Sequence, residues 1–189
     1  NRLPVPESWA SSREVPTLFQ TEREDGLVRL LLFSGLYPIR RAVSDDLGET
    51  WSELQPIGDF GGIVAMASIH TQANGDLLAF FHDDGRFLRN SGEPSAFRVF
   101  ATRSSDYGLS WSEPWVITEH PDADLCEPGL VTSPDGTRLA LLLRPEPAAR
   151  LRGVCRFLWF RPGRLRLSPS CFRSPRFAGA CCSSCCSRR

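Results

Sequence analysis

Short apolar runs alternate with polar turns along most of the chain, and their lengths are those of β-strands. Residues 27–33 (LVRLLLF) and 76–82 (DLLAFFH) are short apolar runs rich in Leu and Phe, whereas 39–44 (IRRAVS) and 97–105 (FRVFATRSS) alternate between apolar and polar positions. Alternation with a period of two is typical of a half-buried strand. No stretch repeats its apolar positions with the period of a helix. The pattern therefore predicts an all-β protein.

A ten-residue segment occurs twice in the chain. SDDLGETWSE occupies 44–53, and SSDYGLSWSE occupies 104–113. Each copy follows an alternating strand and precedes another short apolar run, LQPIGDF at 54–60 or PWVITEH at 114–120. Each unit is thus predicted to contain strand, strand, strand, tight turn and strand. Internal repetition at this spacing indicates a repeat architecture.

Three positions of the repeated segment have the chemistry of a tight turn. An Asp accepts hydrogen bonds from backbone N–H groups, a Gly adopts positive φ, and a Trp packs its ring beneath the hairpin. In the two copies these positions are Asp46, Gly48, Trp51, Asp106, Gly108 and Trp111. We therefore interpret the repeat as a structural element that closes a hairpin and needs no ligand.

The repeated segment fits a known family pattern. Residues 44–51 match the Asp box, S-x-D-x-G-x-T-W, of the sialidase (neuraminidase) superfamily, and 104–111 match it with Ser110 in place of Thr. Residues 15–145 resemble bacterial sialidase-family, or BNR-repeat, proteins. The resemblance implies a six-bladed β-propeller of four-stranded blades. The expected fold is therefore a partial propeller of about two to three blades, followed by an irregular C-terminal tail.

The same resemblance implies a function and some of its residues. Sialidases hydrolyse terminal sialic acid from glycans with a Tyr nucleophile, and three Arg side chains bind the substrate carboxylate. The segment 127–144 resembles the sialidase stretch in which a Glu opens one strand and an Arg ends the next. Glu127 would then activate the Tyr, and Arg144 would be the second Arg. The alternative is that Glu127 caps a strand and Arg144 is solvated.

A charged loop follows the apolar run 76–82. Asp83 or Asp84 is the candidate acid/base, and His82 and Arg86 are candidate contacts to an anionic substrate. A simple Asp-Asp-Gly turn is the alternative interpretation. Two carboxylates are too few to hold Ca²⁺, so the sequence predicts no metal site and no cofactor. The implied ligand is a sialylated or other anionic glycan.

Part of the sialidase pattern does not fit. Glu14 stands where the first Arg of the triad belongs, with Arg13 one position away, and neither Tyr37 nor Tyr107 matches the nucleophile. In sialidases the Tyr and the third Arg come from late blades. The chain is therefore expected to be truncated and inactive. The alternative is a non-catalytic propeller module that binds a glycan or another protein.

Composition divides the chain near residue 146. Residues 1–146 hold 12 arginines and 22 acidic residues, whereas 147–189 hold 10 arginines, six of the seven cysteines and no acidic residue. We expect a sialidase-like propeller fragment over 1–146 and a tail over 147–189 without a packed core. Translation in a wrong reading frame is the favoured explanation of the tail. A disordered basic tail and a specific nucleic-acid, metal or disulfide site are the alternatives.

The remaining sequence signals concern the location of the protein and its metal and nucleic-acid partners. No apolar run reaches the roughly 18 residues of a transmembrane helix. No signal peptide is evident, which favours a cytoplasmic protein, although the chain does not begin with Met. The spacing of the tail cysteines is not that of a zinc site. A nucleic-acid partner is not expected.

Overall fold

The computed structural model describes residues 6–12, 14–61, 66–85, 96–120, 123–146 and 156–160. These residues form three antiparallel sheets, and a single 3₁₀ turn at Glu7–Ser11 is the helical element among them. Within the described residues, no helix has the length and hydrophobicity to cross a membrane. The prediction of an all-β protein is confirmed.

In each sheet, strands that are consecutive in sequence are neighbours in space. The first sheet contains β1 (Thr17–Glu22), β2 (Val28–Ser34), β3 (Arg40–Ser44) and β4 (Gln55–Pro56). The second contains β5 (Ser68–Thr71), β6 (Leu77–Asp83), β7 (Arg98–Ser104) and β8 (Trp115–Thr118). The third contains β9 (Asp124–Thr132), β10 (Leu139–Glu146) and β11 (Arg156–Phe160). The strands β2, β3, β6 and β7 lie within one residue of the runs that the hydrophobic pattern identified.

Strand β11 departs from the sequence-based expectation. Residues 156–160 lie in the tail, for which the composition predicts no blade pattern, yet they pair antiparallel with Leu139–Leu143 of β10. That expectation is wrong for these five residues. Their run RFLWF is apolar and aromatic, which favours a strand, but the surrounding Arg, Pro and Cys obscure it. The rest of 147–189, with its six cysteines, lies outside the described residues.

The second sheet lies between the other two, and β6 is buried along its whole length. Side chains of a strand point alternately to its two faces. Leu77, Ala79 and Phe81 belong to the apolar core shared with the first sheet, whereas Leu78 and Phe80 belong to the core shared with the third. Burial on both faces explains why residues 77–81 form a continuous apolar run rather than an alternating one.

The first strands of the three sheets lie side by side. The Thr17 hydroxyl of β1 donates to the carbonyl oxygen of Met66, just before β5. The Ser68 hydroxyl of β5 donates to the carbonyl oxygen of Pro128 in β9 over 2.7 Å. Because neighbouring strands run in opposite directions, the starts of β9 and the ends of β6 and β10 share one edge, here called the upper edge. Both repeat turns lie at the opposite, lower edge.

Each repeat turn is held by hydrogen bonds to its Asp side chain. The Asp46 carboxylate accepts hydrogen bonds from the Thr50 N–H, at 2.9 Å, and from the Thr50 hydroxyl. These bonds lower the pKa of Asp46 to about 2. Asp106 accepts the same two bonds from Ser110. The carboxylates are thus engaged within their own turns.

The glycines and tryptophans of the turns complete this arrangement. Gly48 and Gly108 have φ of +95° and +84°. The indole N–H of Trp51 donates to the carbonyl oxygen of Gly48 over 3.1 Å, and Trp111 makes the same bond to Gly108. The described geometry therefore accounts for the residue types of the repeat without a ligand.

The second repeat turn also joins the first two sheets. Arg41 of β3 donates to the carbonyl oxygen of Gly108 over 2.7 Å and to that of Leu109 over 3.1 Å. The Trp111 ring meets Phe33 of β2 edge to face, with centroids 5.6 Å apart. A Cβ atom at Gly108 would come within 2.4 Å of Leu31 in the same strand. Glycine is therefore required both by the backbone and by the neighbouring sheet.

We expect Gly108→Ala to destabilise the protein more than Gly75→Ala. Both glycines have positive φ, so each Ala adds about 1–2 kcal/mol of backbone strain. Only Gly108 meets a neighbouring side chain, because nothing lies within 4 Å of a Cβ at Gly75. The clash should add about 1–3 kcal/mol. Urea denaturation of both variants measures the difference, and equal losses would show that close packing of the turn does not matter.

Candidate functional site

An ion pair lies at the upper edge, on the side of the chain formed by the first strands. Arg144 of β10 donates from Nη2 to Oε1 of Glu127 in β9 over 2.9 Å. A register shift between Leu142 and Arg144 sets Arg144 opposite Cys126, next to Glu127 along the strand. Both side chains of the pair are more than half exposed, at 56% and 57%. The structure thus brings together the two residues of segment 127–144 that the sequence singled out.

The backbone at Glu127 has an unusual conformation. Its φ is +51°, in the left-handed region that non-glycine residues seldom adopt. Such a conformation costs on the order of 1–3 kcal/mol and is kept only where the surroundings hold it. Here the Glu127 N–H donates to Nδ1 of His82 over 3.2 Å. His82 therefore supports the backbone turn that presents the Glu127 carboxylate.

His82 is buried, with 2% of its surface exposed. Burial lowers its pKa to about 4, and the nearby charge of Arg144 adds to the effect. The imidazole is consequently neutral at pH 7, which leaves Nδ1 able to accept the bond from Glu127. The sequence suggested a contact between His82 and substrate. In the structure, His82 lies beneath the ion pair and positions Glu127.

Asp83 is the last residue of β6 and is fully buried. Strand alternation directs its side chain away from His82, toward the first sheet. Among the described residues, no donor makes a hydrogen bond of normal geometry to either carboxylate oxygen. Burial raises the pKa of Asp83 to about 6, and the charge of Asp84 adds to this, although the N–H groups of Gly85 and Asp84 oppose it. A buried carboxyl group of this kind is suited to carry a proton near neutral pH.

Arg98, across from Asp83, and its partner Glu119 were not identified from the sequence. Arg98 of β7 lies directly across from Asp83 in the strand register and is buried. Its Nη1 is 3.9 Å from a Glu119 carboxylate oxygen, and its guanidinium lies 5.1 Å from the centroid of the Phe100 ring. The alternation of side chains along β7 indicates only which face of the second sheet Arg98 lies on. Its proximity to Asp83 requires the register of β6 against β7.

The other candidate residues are distributed differently. Asp84 follows β6 directly and is buried, whereas Arg86 and Arg13 lie outside the described residues. The Tyr37 hydroxyl donates to the Asp59 carboxylate, and Tyr107 lies in the second repeat turn at the lower edge. The Asp, Gly and Trp residues of the two repeat turns also lie at the lower edge, far from the ion pair at the upper edge. In the described part of the chain, no three potential metal ligands cluster together.

A cavity of about 280 Å³ lies beside Glu127, where the first strands of the three sheets approach one another. Glu127 and Gly129 line it from β9, Met66 lines it just before β5, and Val15 and Thr17 line it from the start of the first sheet. The cavity combines one carboxylate with apolar walls. The cavity is therefore a concave surface that begins at Glu127 of the ion pair and lies along the first strands of the sheets.

No family model matches the chain, and no curated protein matches it. Solved structures do match. A protein of unknown function from Dyadobacter fermentans is similar with a TM-score of 0.55 at 15% identity, over 79% of this chain and 50% of that one. The GH93 α-L-arabinofuranosidase of Fusarium graminearum, solved with arabinobiose, is similar with a TM-score of 0.53 at 17% identity. That match covers 78% of this chain and 46% of the arabinofuranosidase.

The fold is a partial β-propeller. The arabinofuranosidase is a propeller protein, and the three stacked sheets described above correspond to consecutive blades of such a fold. The chain spans about half the length of both solved structures. At these identities the likeness establishes the fold. It assigns neither an activity nor a ligand to this chain.

His82 and Asp83 predict opposite dependences of stability on pH. The folded-state pKa of His82 is lowered, so its contribution is present above pH 6.5 and is lost as the pH falls toward 4. The folded-state pKa of Asp83 is raised, so its contribution is present below pH 3.8 and is lost as the pH rises through 6. Each effect is on the order of 3 kcal/mol, and the two offset each other between pH 4 and 6.

Single substitutions separate the two effects. In Asp83→Asn, where His82 remains, the free energy of unfolding should fall as the pH is lowered from 6.5 to 4. His82→Asn keeps a hydrogen-bond acceptor at this position. In this variant the free energy of unfolding should rise as the pH is lowered from 6.5 to 4, because Asp83 remains. Urea denaturation at several pH values gives both slopes. Slopes of the same sign in the two variants would contradict the assignment.

Proposed function

We propose that this chain supplies part of a carbohydrate site of the glycosidase type, directed at sugars that carry a carboxylate. The observation that carries the proposal is the ion pair of Arg144 and Glu127 at the upper edge. A planar guanidinium binds a carboxylate through two parallel hydrogen bonds. The strained backbone at Glu127 and the buried His82 beneath it give the pair a fixed orientation.

The sialidase resemblance supports the choice of substrate class. It assigns a carboxylate-binding role to Arg144 and an activating role to Glu127, and these residues are in contact in the structure. More than half of the Arg144 side chain remains accessible to solvent. An incoming carboxylate can therefore share or take over the guanidinium that Glu127 now holds.

The buried carboxyl group of Asp83 supports a glycosidase type of site. Glycosidases need a group that stays protonated until it donates to the leaving oxygen. Asp83, with its raised pKa, and its neighbour Asp84 are the candidates for this role. The fold likeness to the GH93 arabinofuranosidase is compatible with carbohydrate chemistry on this scaffold.

Substitution of Arg144 tests binding. We expect the methyl α-glycoside of sialic acid to bind the unmodified protein and to bind Arg144→Ala about 10- to 100-fold more weakly, because a charge-assisted bond is lost. Arg138→Ala is the matched control, because Arg138 is exposed in the same hairpin at the lower edge. Isothermal titration calorimetry measures each Kd. Equal affinities for the two variants would rule out a role for Arg144 in binding.

A second experiment distinguishes an enzyme from a binding module. Neither tyrosine matches the sialidase nucleophile that Glu127 would activate, since the Tyr37 hydroxyl donates to Asp59 and Tyr107 lies at the lower edge. We therefore expect binding of a fluorogenic sialoside without hydrolysis by this chain. A fluorogenic α-L-arabinofuranoside serves as the comparison substrate. Hydrolysis of the sialoside well above the rate without protein would show that this chain is an active enzyme. Hydrolysis of the arabinofuranoside alone would show that the site does not recognise a carboxylate.

The alternative is a propeller module that binds a glycan or a protein without catalysis. It predicts the same dependence of binding on Arg144 and, like the inactive state of this chain, no hydrolysis. If Glu127→Gln and Arg144→Ala both leave glycan binding unchanged, the upper edge is not the site. The function would then have to be sought on another surface.

A further inference from the structure

Strand β9 contains a β-bulge beside the ion pair of the upper edge. Between the cross-strand pairs Arg144↔Cys126 and Leu142↔Gly129, β9 has two residues and β10 has one. An extra residue of this kind bends its strand and redirects a side chain, and such bulges occur often next to functional sites. The bulge includes Glu127, the carboxylate partner of Arg144.

The local sequence at Glu127 does not favour this bulge. The φ of Glu127 is +51°, a conformation that a Gly usually supplies at the first position of such a bulge. The next residue is Pro128, and a residue before a proline favours extended conformations. Two local preferences therefore oppose the observed backbone, which persists only where neighbouring groups hold it.

Two side chains of the second sheet hold the backbone of the bulge. Nδ1 of His82 accepts a hydrogen bond from the Glu127 N–H over 3.2 Å. The Ser68 hydroxyl donates to the carbonyl oxygen of Pro128 over 2.7 Å. Ser68 lies across from Phe80, two residues before His82, so both side chains lie on the face toward the third sheet. Because a bulge interrupts the hydrogen-bond ladder, such bonds supply partners to its backbone groups.

The ion pair does not hold the bulge by itself. Both of its side chains are more than half exposed, and an exposed pair contributes little because water screens it and both side chains lose rotamer freedom. The Glu127 carboxylate nevertheless meets Nη2 of Arg144 over 2.9 Å. The direction of the carboxylate is therefore set by the backbone of the bulge, and so by the side chains that hold this backbone.

We propose that Ser68 is a positioning residue of the carboxylate site and that it forms, with His82, a two-point clamp on the bulge. The clamp directs the Glu127 carboxylate to Arg144, and Glu127 in turn holds the plane of the guanidinium for an incoming carboxylate. Recognition of a carboxylate through two parallel hydrogen bonds depends on that plane. Ser68 thus acts through Glu127 and Arg144 and not by contact with the ligand. The role of Arg144 as the partner of the ligand rests on the function proposed above.

Nuclear magnetic resonance tests the clamp without any ligand. The full chain is labelled with ¹⁵N, and the Nε–H signal of Arg144 is assigned with Arg144→Ala. We expect Ser68→Ala to move this signal toward that of a mobile arginine. It should also weaken the scalar coupling across the hydrogen bond from Glu127 N to His82 Nδ1. Ser68→Thr keeps the hydroxyl donor and should retain both the signal and the coupling.

Thr102→Val is the matched control. The Thr102 hydroxyl of the second sheet also donates to a carbonyl oxygen over 2.7 Å, but its acceptor is Ser112, next to the second repeat turn. Its removal deletes the same kind of bond and should leave the Arg144 signal and the coupling unchanged. Thermal melts confirm that each variant is folded. Ser68→Cys, whose thiol is a weak donor, replaces Ser68→Ala if that variant does not fold.

Ligand affinity provides the functional measurement. Isothermal titration calorimetry with the methyl α-glycoside of sialic acid should give a Kd about 2- to 10-fold higher for Ser68→Ala, because the ligand must then immobilise the Arg144 side chain itself. Ser68→Thr and Thr102→Val should bind the glycoside like the unmodified protein.

Several results would overturn the proposal. One is an Arg144 signal and a coupling that do not change in Ser68→Ala, and another is an equal change in Thr102→Val, which would indicate a general loss of stability. Loss of the coupling in Ser68→Thr, or an unchanged or lower Kd in Ser68→Ala, would also overturn it. If the unmodified protein does not bind the glycoside, the proposed function fails, and the signal and the coupling still decide whether Ser68 holds the bulge.

Discussion

The burial of strand β6 between two sheets is the constraint on which the rest of the structure depends. A strand covered on both faces contributes apolar side chains to two cores, and the three sheets are thereby fixed face to face. The side chains of the last two residues of β6 point to opposite faces of the sheet, as those of the apolar residues before them do. His82 is therefore directed toward the third sheet and Asp83 toward the first.

This arrangement produces the unusual titration behaviour at the upper edge. A neutral imidazole accepts the Glu127 N–H, while a buried carboxyl group faces the other way. Both groups favour their uncharged forms because the sheets exclude water from them. The support of the Glu127 backbone follows from the approach of β9 to the end of β6. The ion pair with Arg144 follows instead from the register of β10 against β9 within the third sheet.

The lower edge follows a separate principle. The Asp and Gly of each turn satisfy the turn's own backbone, which makes its shape independent of its surroundings. The Trp projects from this fixed shape and needs an aromatic partner in a preceding element. Phe33 serves the second turn, and Trp9, from the 3₁₀ turn, serves the first. A blade is thus joined to its neighbour by a preformed turn as well as by its apolar faces.

Local chemistry is what the sequence by itself determined. Alternation located β2, β3, β6 and β7 because side-chain direction has a period of two. The Asp, Gly and Trp of the repeat define their turn because their hydrogen bonds join residues no more than four positions apart. Strand β11 was not predicted, because a short run of four apolar residues after Arg156 gives a weak signal within an Arg-rich and Cys-rich segment. The first strands β1 and β5 were not located from the sequence either.

Only the tertiary structure decided how distant residues meet. Glu127 and Arg144 were paired from a resemblance, but the support of His82 for Glu127 joins positions 45 residues apart. The placement of Arg98 across from Asp83 requires a strand register, and the role of Trp9 requires the packing of the N-terminal segment on the first sheet. Such contacts depend on how sheets stack. Stacking is set by the summed apolar area of many residues, which no short motif encodes.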